Sequence, residues 1–308
     1  MSGLVTLGEQ LGQLVSWAEG PMRPGTATQV SVCGAEATVA IGVRRLGFDA
    51  AYLGRIGDDG FGRMGRDVLR GEGVDVSGLR TDPSGATGLL IRTRRTAQRT
   101  VVEYLRAGSA GSRLAPEDVD GALIRSADLL HVTGITPALS SSAAKAVDTA
   151  VAIAKEAGVA VSFDVNYRAN LWTADEATPV LRRLAAQADV VFGGRIELAL
   201  LGRELEHVAE LGPREVVRTE GAHGSTALCD GVVHHQDARD VEVVDVVGAG
   251  DAFVAGYLAA RMDGRAPADR LKLGAILGAF AVSTRGDWEG LPHRDELGLL
   301  DHGDEVLR

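Results

Sequence analysis

The stretch Asp245-Val-Val-Gly-Ala-Gly-Asp-Ala-Phe253 decides how this chain is read. It follows an apolar run that reads as a strand, and it opens a helix running to about Met262, with Phe253, Tyr257 and Ala260 turned inward. Gly248 and Gly250 let the backbone bend so that successive N–H groups point one way. The start of a helix adds about half a positive charge at the same place. An anion cradle results, with the carboxylate of Asp251 inside it. A carboxylate against an anion hole is costly if it serves structure alone. It makes sense if Asp251 takes a proton from a hydroxyl that attacks a phosphoryl group while the N–H groups hold the developing charge. The bland alternative is a glycine-rich turn with Asp251 as a helix cap.

Two other phosphate motifs fail here. A dinucleotide fingerprint needs a third glycine near Phe253 and an early strand–helix–strand unit. A Walker loop needs Gly-Lys-Ser/Thr, and none of Lys145, Lys155 and Lys272 follows a glycine-rich loop.

Working outward, short apolar runs alternate with longer amphipathic stretches. Leu4–Leu7, Val30–Cys33, Ala50–Ile56, Leu129–Val132, Val159–Phe163 and Val190–Phe192 read as strands. Gly34–Leu46 reads as a helix stopped by Gly47, Gly60–Arg70 as one stopped by Gly71, Ser141–Ala157 as one stopped by Gly158, and Ala174–Ala188 as a fourth. This rhythm predicts an α/β fold: a three-layer domain whose mostly parallel central sheet carries helices on both faces. From about Asp75 to Ala107 the helical period vanishes. Gly88–Thr93 and Thr100–Arg106 read as strands around a polar turn, and Leu14–Trp17 is similar. These predict a small β-sheet lid formed by residues of about 12–33 and 75–107, within a single domain spanning 1–308.

At 45 % hydrophobic residues the 308-residue chain can bury a large core, and a net charge of −10 speaks against a nucleic-acid partner. A small anionic ligand stays open, since local arginines and helix N-termini can hold one. Two cysteines, Cys33 and Cys229, make no disulfide framework, so a reduced, cytoplasmic setting is expected. No apolar run reaches about 18 residues and Met1–Gly8 lacks a signal-peptide pattern, so no membrane partner is expected. His234 and His235 are adjacent and would face opposite sides of a strand, which makes a poor metal pair.

The Asp245–Phe253 string resembles the C-terminal signature of the ribokinase (PfkB-type) carbohydrate kinases, with Val246 where threonine is usual. Cys33-Gly-Ala-Glu-Ala-Thr-Val-Ala40 and Gly54-Arg-Ile-Gly-Asp-Asp-Gly-Phe-Gly62 resemble the N-terminal signature. Five further strings are similar to the 2-keto-3-deoxygluconate kinases of that family: Gly34-Ala-Glu-Ala, Tyr104-Leu-Arg-Ala-Gly-Ser-Ala-Gly-Ser112, Gly134-Ile-Thr-Pro-Ala-Leu139, Asp164-Val-Asn-Tyr-Arg168 with Leu171-Trp172, and Arg285-Gly-Asp287. The resemblance covers essentially the whole chain. It implies a ribokinase-like fold and ATP-dependent, Mg²⁺-assisted phosphorylation of a sugar-acid 6-hydroxyl, with a monovalent cation as an open further requirement.

It also implies roles. Asp251 is the base, and Gly248, Ala249 and Gly250 form the anion hole for the γ-phosphate. Gly34, Tyr104, Arg106, Arg168 and Asp287 bind the sugar acid. Two arginines suit a carboxylate, because guanidinium forks match its geometry. For Arg106 the alternative is a solvated charge, for Arg168 an ion pair with Asp164, and for Asp287 a turn residue. Val217-Arg-Thr-Glu-Gly-Ala-His-Gly224 resembles the nucleotide-binding turn, so Thr219, Gly221 and Gly224 fall to ATP. Glu197 falls to Mg²⁺ through water, with an exposed helix residue as the alternative. A homodimer or higher homo-oligomer through the lid is implied as well. The chain departs from the pattern at Cys33, Thr38, Gly194, Ala275 and Leu90. Fructokinase, ribokinase or nucleoside kinase activity on the same fold remains open, as does a non-catalytic sugar sensor.

Overall fold

The computed structural model describes residues 3–96 and 99–301. The chain begins with β1 (Gly3–Glu9), whose residues alternate between two cores: Leu4 faces one, Val5 and Leu7 the other. β2 (Leu11–Ser16) and β3 (Gln29–Cys33) leave the main body, and α1 (Ala35–Arg45) returns to it. β4 (Asp49–Gly57), α2 (Gly60–Gly71) and β5 (Leu79–Asp82) form one crossover, followed by the hairpin β6 (Gly88–Thr96) and β7 (Arg99–Leu105). The second half runs α3 (Gly121–Arg125), β8 (Leu129–Thr133), α4 (Ile135–Leu139), α5 (Ser141–Ala157), β9 (Ala160–Asp164), α6 (Ala174–Ala185), β10 (Val190–Gly194), α7 (Arg195–Ala199) and α8 (Leu205–Ala209). It closes with β11 (Glu215–Thr219), β12 (Ser225–Cys229), β13 (Val232–Gln236), α9 (Ala249–Met262) and α10 (Pro267–Val282).

Nine strands form one sheet in the order β13-β12-β11-β10-β9-β8-β1-β4-β5. All neighbours from β11 to β5 are parallel, and β12 and β13 close one edge antiparallel. One core packs α1, α9 and α10 against the sheet, and the other packs α5 and α6 on the opposite face. This is the three-layer α/β arrangement expected from the strand–helix rhythm. From β1 the chain winds first toward β5, then restarts at β8 and winds the other way. The β1–β8 boundary is therefore the switch point, where crossover loops diverge and leave a crevice at the strands' carboxyl ends. No helix among the described residues is long and apolar enough to cross a membrane.

A separate four-stranded sheet has the order β3-β2-β6-β7. Its expected extent needs correction. Within 75–107 only β6 and β7 join it, because β5 pairs in parallel with β4 and extends the large sheet. A four-residue strand with two exposed positions leaves too little period to be recognised. The apolar run before Asp245 is not a strand either. Val243, Val244 and Val246 are exposed by 61 %, 42 % and 68 %, and the segment hangs on Val282, whose carbonyl accepts the N–H groups of Val244 and Asp245. β-Branched residues satisfied the pattern without a neighbouring strand to pair with. The helix after β4 ends one residue later than expected, at Gly71, with Gly73 rather than Gly71 in the left-handed conformation.

Candidate active site

A cavity of about 380 Å³ lies at the switch point, roofed by the small sheet. Its floor comes from strand ends, among them Glu9 and Asp164, and from the N-termini of α1 and α9. The strands of the small sheet alternate, so Leu11, Cys33, Leu90, Arg92, Val102 and Tyr104 face the cavity while their neighbours face away.

Gly248 caps α9 with φ +76°, and no side chain satisfies the first amides of the helix. A Cβ at Gly248 would stand 2.2 Å from the Asp287 carbonyl oxygen, so glycine is required both by conformation and by space. The amides of Ala249, Gly250 and Asp251 occupy the positions where a helix has no internal acceptors. Asp251, in the first turn, lines the cavity. Burial and the Asp287 carboxylate push its pKa up to about 8, and Arg168 offsets part of the rise. Asp287 itself is pushed up to about 6 by burial and by Glu289, while the Gly34 N–H donates to its Oδ2 at 3.4 Å. Asp287 is thus buried in the site and is more than a turn residue.

Asp164 is raised well above the ordinary carboxylate range by burial and by the charges of Glu197 and Asp251. Between Asp164 and Asp251 stands Asn166, with Nδ2 at 3.3 Å from Asp164 Oδ2 and 3.5 Å from Asp251 Oδ1. Its φ of +37° is left-handed, a region that asparagine tolerates better than most residues. Reading the sequence singled out the Asp164–Arg168 string but gave Asn166 no role. The only signal was an asparagine between a strand-end aspartate and an arginine.

The two arginines differ. Arg168 lines the cavity and makes no ion pair among the described residues. Its contact is a 3.5 Å approach of Nη1 to the Tyr167 carbonyl, so the ion pair with Asp164 is not formed. Arg106 is 8 % exposed, which removes the solvated-charge alternative. Its Nε donates to Glu9 Oε2 at 2.8 Å, its Nη2 also meets that oxygen, and it lies 5.1 Å over the Tyr104 ring. Ser109 Oγ donates to the other Glu9 oxygen at 2.6 Å. Arg106 therefore reaches the cavity with much of its charge already answered. Gly34 lines the cavity where a Cβ would stand 2.7 Å from the Glu9 carbonyl oxygen.

Glu36 was also missed, though its string was quoted. It is 2 % exposed, and its Oε1 accepts from Thr133 Oγ1 at 2.7 Å and Thr136 Oγ1 at 2.9 Å. A second cavity shares Glu197 and Thr219 with the first and continues past Tyr167, Arg195, Glu220 and His223. Thr219 ends β11 and belongs to both. Gly221 and Gly224 shape the β11–β12 turn with φ of +57° and +87°, and neither lines these two cavities. Glu197 is half-buried, not exposed. Its carboxylate accepts the Tyr167 N–H at 2.9 Å and the Gly194 N–H at 2.7 Å. No group of three metal-ligating side chains among the described residues is close enough to chelate an ion by itself. Cys33 and Cys229 are both free and buried.

The comparisons agree with this geometry. Residues 1–294 match the model of the pfkB family carbohydrate kinases. The chain is 39 % identical to the 2-dehydro-3-deoxygluconokinase of Thermoproteus tenax over 302 residues, covering 95 % of this chain and 92 % of the relative. It is 36 % identical to the fructokinase of Klebsiella pneumoniae over 279 residues, covering 86 % and 90 %. It is also similar to a solved Escherichia coli protein described as ribokinase II in complex with ATP and Mg²⁺, with a TM-score of 0.92, 28 % identity and coverage of 98 % and 99 %. A helix start without a side-chain cap and with a carboxylate in its first turn, set below a β-sheet roof, suits a sugar kinase, and this chain belongs to the pfkB family of carbohydrate kinases.

Proposed function

We propose that the protein transfers the γ-phosphoryl group of ATP to the 6-hydroxyl of 2-keto-3-deoxygluconate. The observation that carries this reading is Arg168, a cavity arginine without an ion-pair partner among the described residues, facing the same space as Asp251. A neutral sugar offers such a cation only uncharged acceptors, whereas a sugar acid supplies a carboxylate that a guanidinium binds more strongly. The 39 % identity to a 2-dehydro-3-deoxygluconokinase supports the same substrate.

In this reading the sugar lies under the small sheet, against Gly34, Tyr104 and Asp287. Asp251 accepts the proton of the 6-hydroxyl as its oxygen forms a bond to the γ-phosphorus, and ADP departs with the electrons of the broken P–O bond. The amides of Ala249, Gly250 and Asp251 hold the charge on the transferred group. ATP extends along Thr219 into the second cavity, with Gly221 and Gly224 keeping its turn open. Asp164, Glu197 and Asp251 concentrate negative charge, which fits a site for Mg²⁺ held by phosphates and water-bridged carboxylates. When bound, Mg²⁺ neutralises phosphate charge. We place this reaction in the cytoplasm, in keeping with the two free cysteines.

The test is ADP release with ATP and Mg²⁺ on 2-keto-3-deoxygluconate, fructose, ribose and adenosine. Activity on the sugar acid that exceeds the others by about 10²-fold in kcat/KM is expected, as losing a charge-assisted contact costs that much. Equal or better activity on fructose overturns the substrate. One observation favours that second reading: Glu9 already neutralises Arg106, so one of the two expected carboxylate partners is largely spent.

We also infer self-association through the small sheet. Its outward face carries Leu14, Val30, Leu89, Ile91, Val101 and Leu105, and Val30, Val101 and Leu105 are exposed.

A further inference from the structure

Arg92 is the bulkiest fully buried side chain among the described residues, and the reaction as derived makes no use of it. It sits on β6 of the small sheet at 1 % exposure. Its Nη2 donates to both oxygens of Asp245, at 2.5 and 2.7 Å, across 153 residues of chain. Its Nε and Nη1 have no hydrogen-bond partner among the described residues, and its guanidinium lies 5.6 Å from the Trp17 ring. The same Asp245 carboxylate accepts the Val247 N–H at 3.3 Å and the Gly286 N–H at 3.3 Å. One carboxylate therefore joins three segments: the small sheet, the turn that delivers the amides of Ala249–Asp251, and the loop that carries Asp287 against Gly248.

As a stabilising device this pair is poor. A buried ion pair rarely outperforms apolar packing, and two buried guanidinium nitrogens with unmet N–H groups add cost. As a geometric lock it is effective, because a charge held at one point fixes every backbone group that bonds to it. We propose that Arg92 is a positioning residue. Through Asp245 it holds the 245–251 turn in the conformation that presents its amides to the phosphoryl group, so that order in the anion hole depends on the seating of the small sheet. The proposal rests on the kinase reading for its catalytic consequence only.

The test combines kinetics with amide hydrogen exchange across 245–251 in Arg92→Met, Arg92→Lys, Asp245→Asn and the Arg92→Met/Asp245→Asn double variant. In Arg92→Met, kcat is expected to fall by about 10²-fold, as for misplacement of groups near the chemistry, with KM for the sugar changed by less than about threefold. Asp245→Asn should lose a similar factor, and the double variant no more than either single one, because the two residues act as a unit. Arg92→Lys should recover part of kcat by keeping a charge at Asp245 without the fork. Exchange should accelerate in 245–251 and not in the core strands. Unchanged kcat in a folded Arg92→Met, losses that multiply in the double variant, or faster exchange spread over the whole chain overturns the proposal. If Arg92→Met does not fold, Arg92→Lys and Asp245→Asn decide by the same readouts. If the wild-type protein phosphorylates none of the panel, the substrate assignment fails, and local exchange in the variants still decides whether Arg92 orders the turn.

Discussion

Asp251 shows how the site stores free energy in a single group. Burial and Asp287 hold its pKa near 8, against an ordinary value of 3.8, so the folded protein binds the proton more tightly than the unfolded chain. The stability gained from that proton is full below pH 3.8 and is lost as pH rises through about 8. Asp251→Asn should therefore raise Tm at pH 8.5 by a few degrees, on the order of 1 kcal/mol or more, and leave it unchanged near pH 4. The same substitution should lower kcat by about 10²- to 10⁴-fold in the ADP-release assay, the range for losing a general base. Wild-type kcat/KM should rise with pH through about 8 and level off only above it, because the base works only when ionised. A stabilised mutant that stays fully active would sink the assignment. The arginines make a paired prediction. Arg168→Ala should raise KM for the sugar acid by about 10- to 100-fold with little change in Tm, since a charge-assisted hydrogen bond contributes about 1.5–3 kcal/mol. Arg106→Ala should instead cost about 3–5 kcal/mol of stability, read in urea unfolding, because it strands Glu9 at 3 % exposure without its partner. The sequence displayed both arginines alike. What separates them is Glu9, 97 residues away, and no local pattern reports a contact at that distance. The same holds for Glu36 with its two threonines and for Arg92 with Asp245. Asp251 and Gly248 were legible because their chemistry is local, set by glycine positions and a helix start.

Two glycines separate structural from functional use of the left-handed backbone at the level of elements. Gly158 caps α5 with φ +70° and open space around its missing Cβ. Gly248 caps the other end of a helix with φ +76° and no space at all. Gly158→Ala should cost about 1 kcal/mol, the price of a left-handed alanine, and leave kcat and KM alone. Gly248→Ala must move either its own turn or the Asp287 loop. It should reduce kcat by about 10²-fold, as displacement of an anion-hole donor does, with a larger Tm loss than Gly158→Ala, because a steric clash adds to the backbone strain. Measuring both variants side by side checks the claim, and equal kinetics in the two would refute it. Helices with strong periods were legible, α5 with its glycine stop to the residue and α9 to its end near Met262. The 241–247 run misled because its valines satisfy the strand pattern while Val243, Val244 and Val246 are exposed and the segment joins neither sheet. β5 was missed because its pairing with β4 depends on the α2 crossover and is not written in its four residues.

For the whole molecule, the parallel sheet creates the crevice and the small sheet covers it, yet a four-stranded sheet has two faces to bury. Its inner face is accounted for: Leu11, Cys33, Leu90 and Tyr104 form a small cluster above the cavity. Near one end its outer face is covered as well, where Phe61 of α2 packs so closely on Gly12 that a Cβ there would lie 2.4 Å from the ring. Farther out, among the described residues, Leu105, Val30 and Val101 remain exposed by 63 %, 49 % and 45 %. Apolar alternation on both faces of a strand pair is the pattern of a sheet meant to be covered twice. A second copy is the partner that every cell making this protein supplies, and two such sheets face to face would bury the row without altering either cavity. The protein should therefore sediment as a dimer at micromolar concentration. Val101→Glu/Leu105→Glu should sediment as a monomer while retaining its Tm to within a few degrees, since both positions lie outside the chain's own cores. If the double variant stays dimeric, the association uses another surface. If the wild type is itself monomeric, the outer face of the roof is left to solvent and the valines there need a different account.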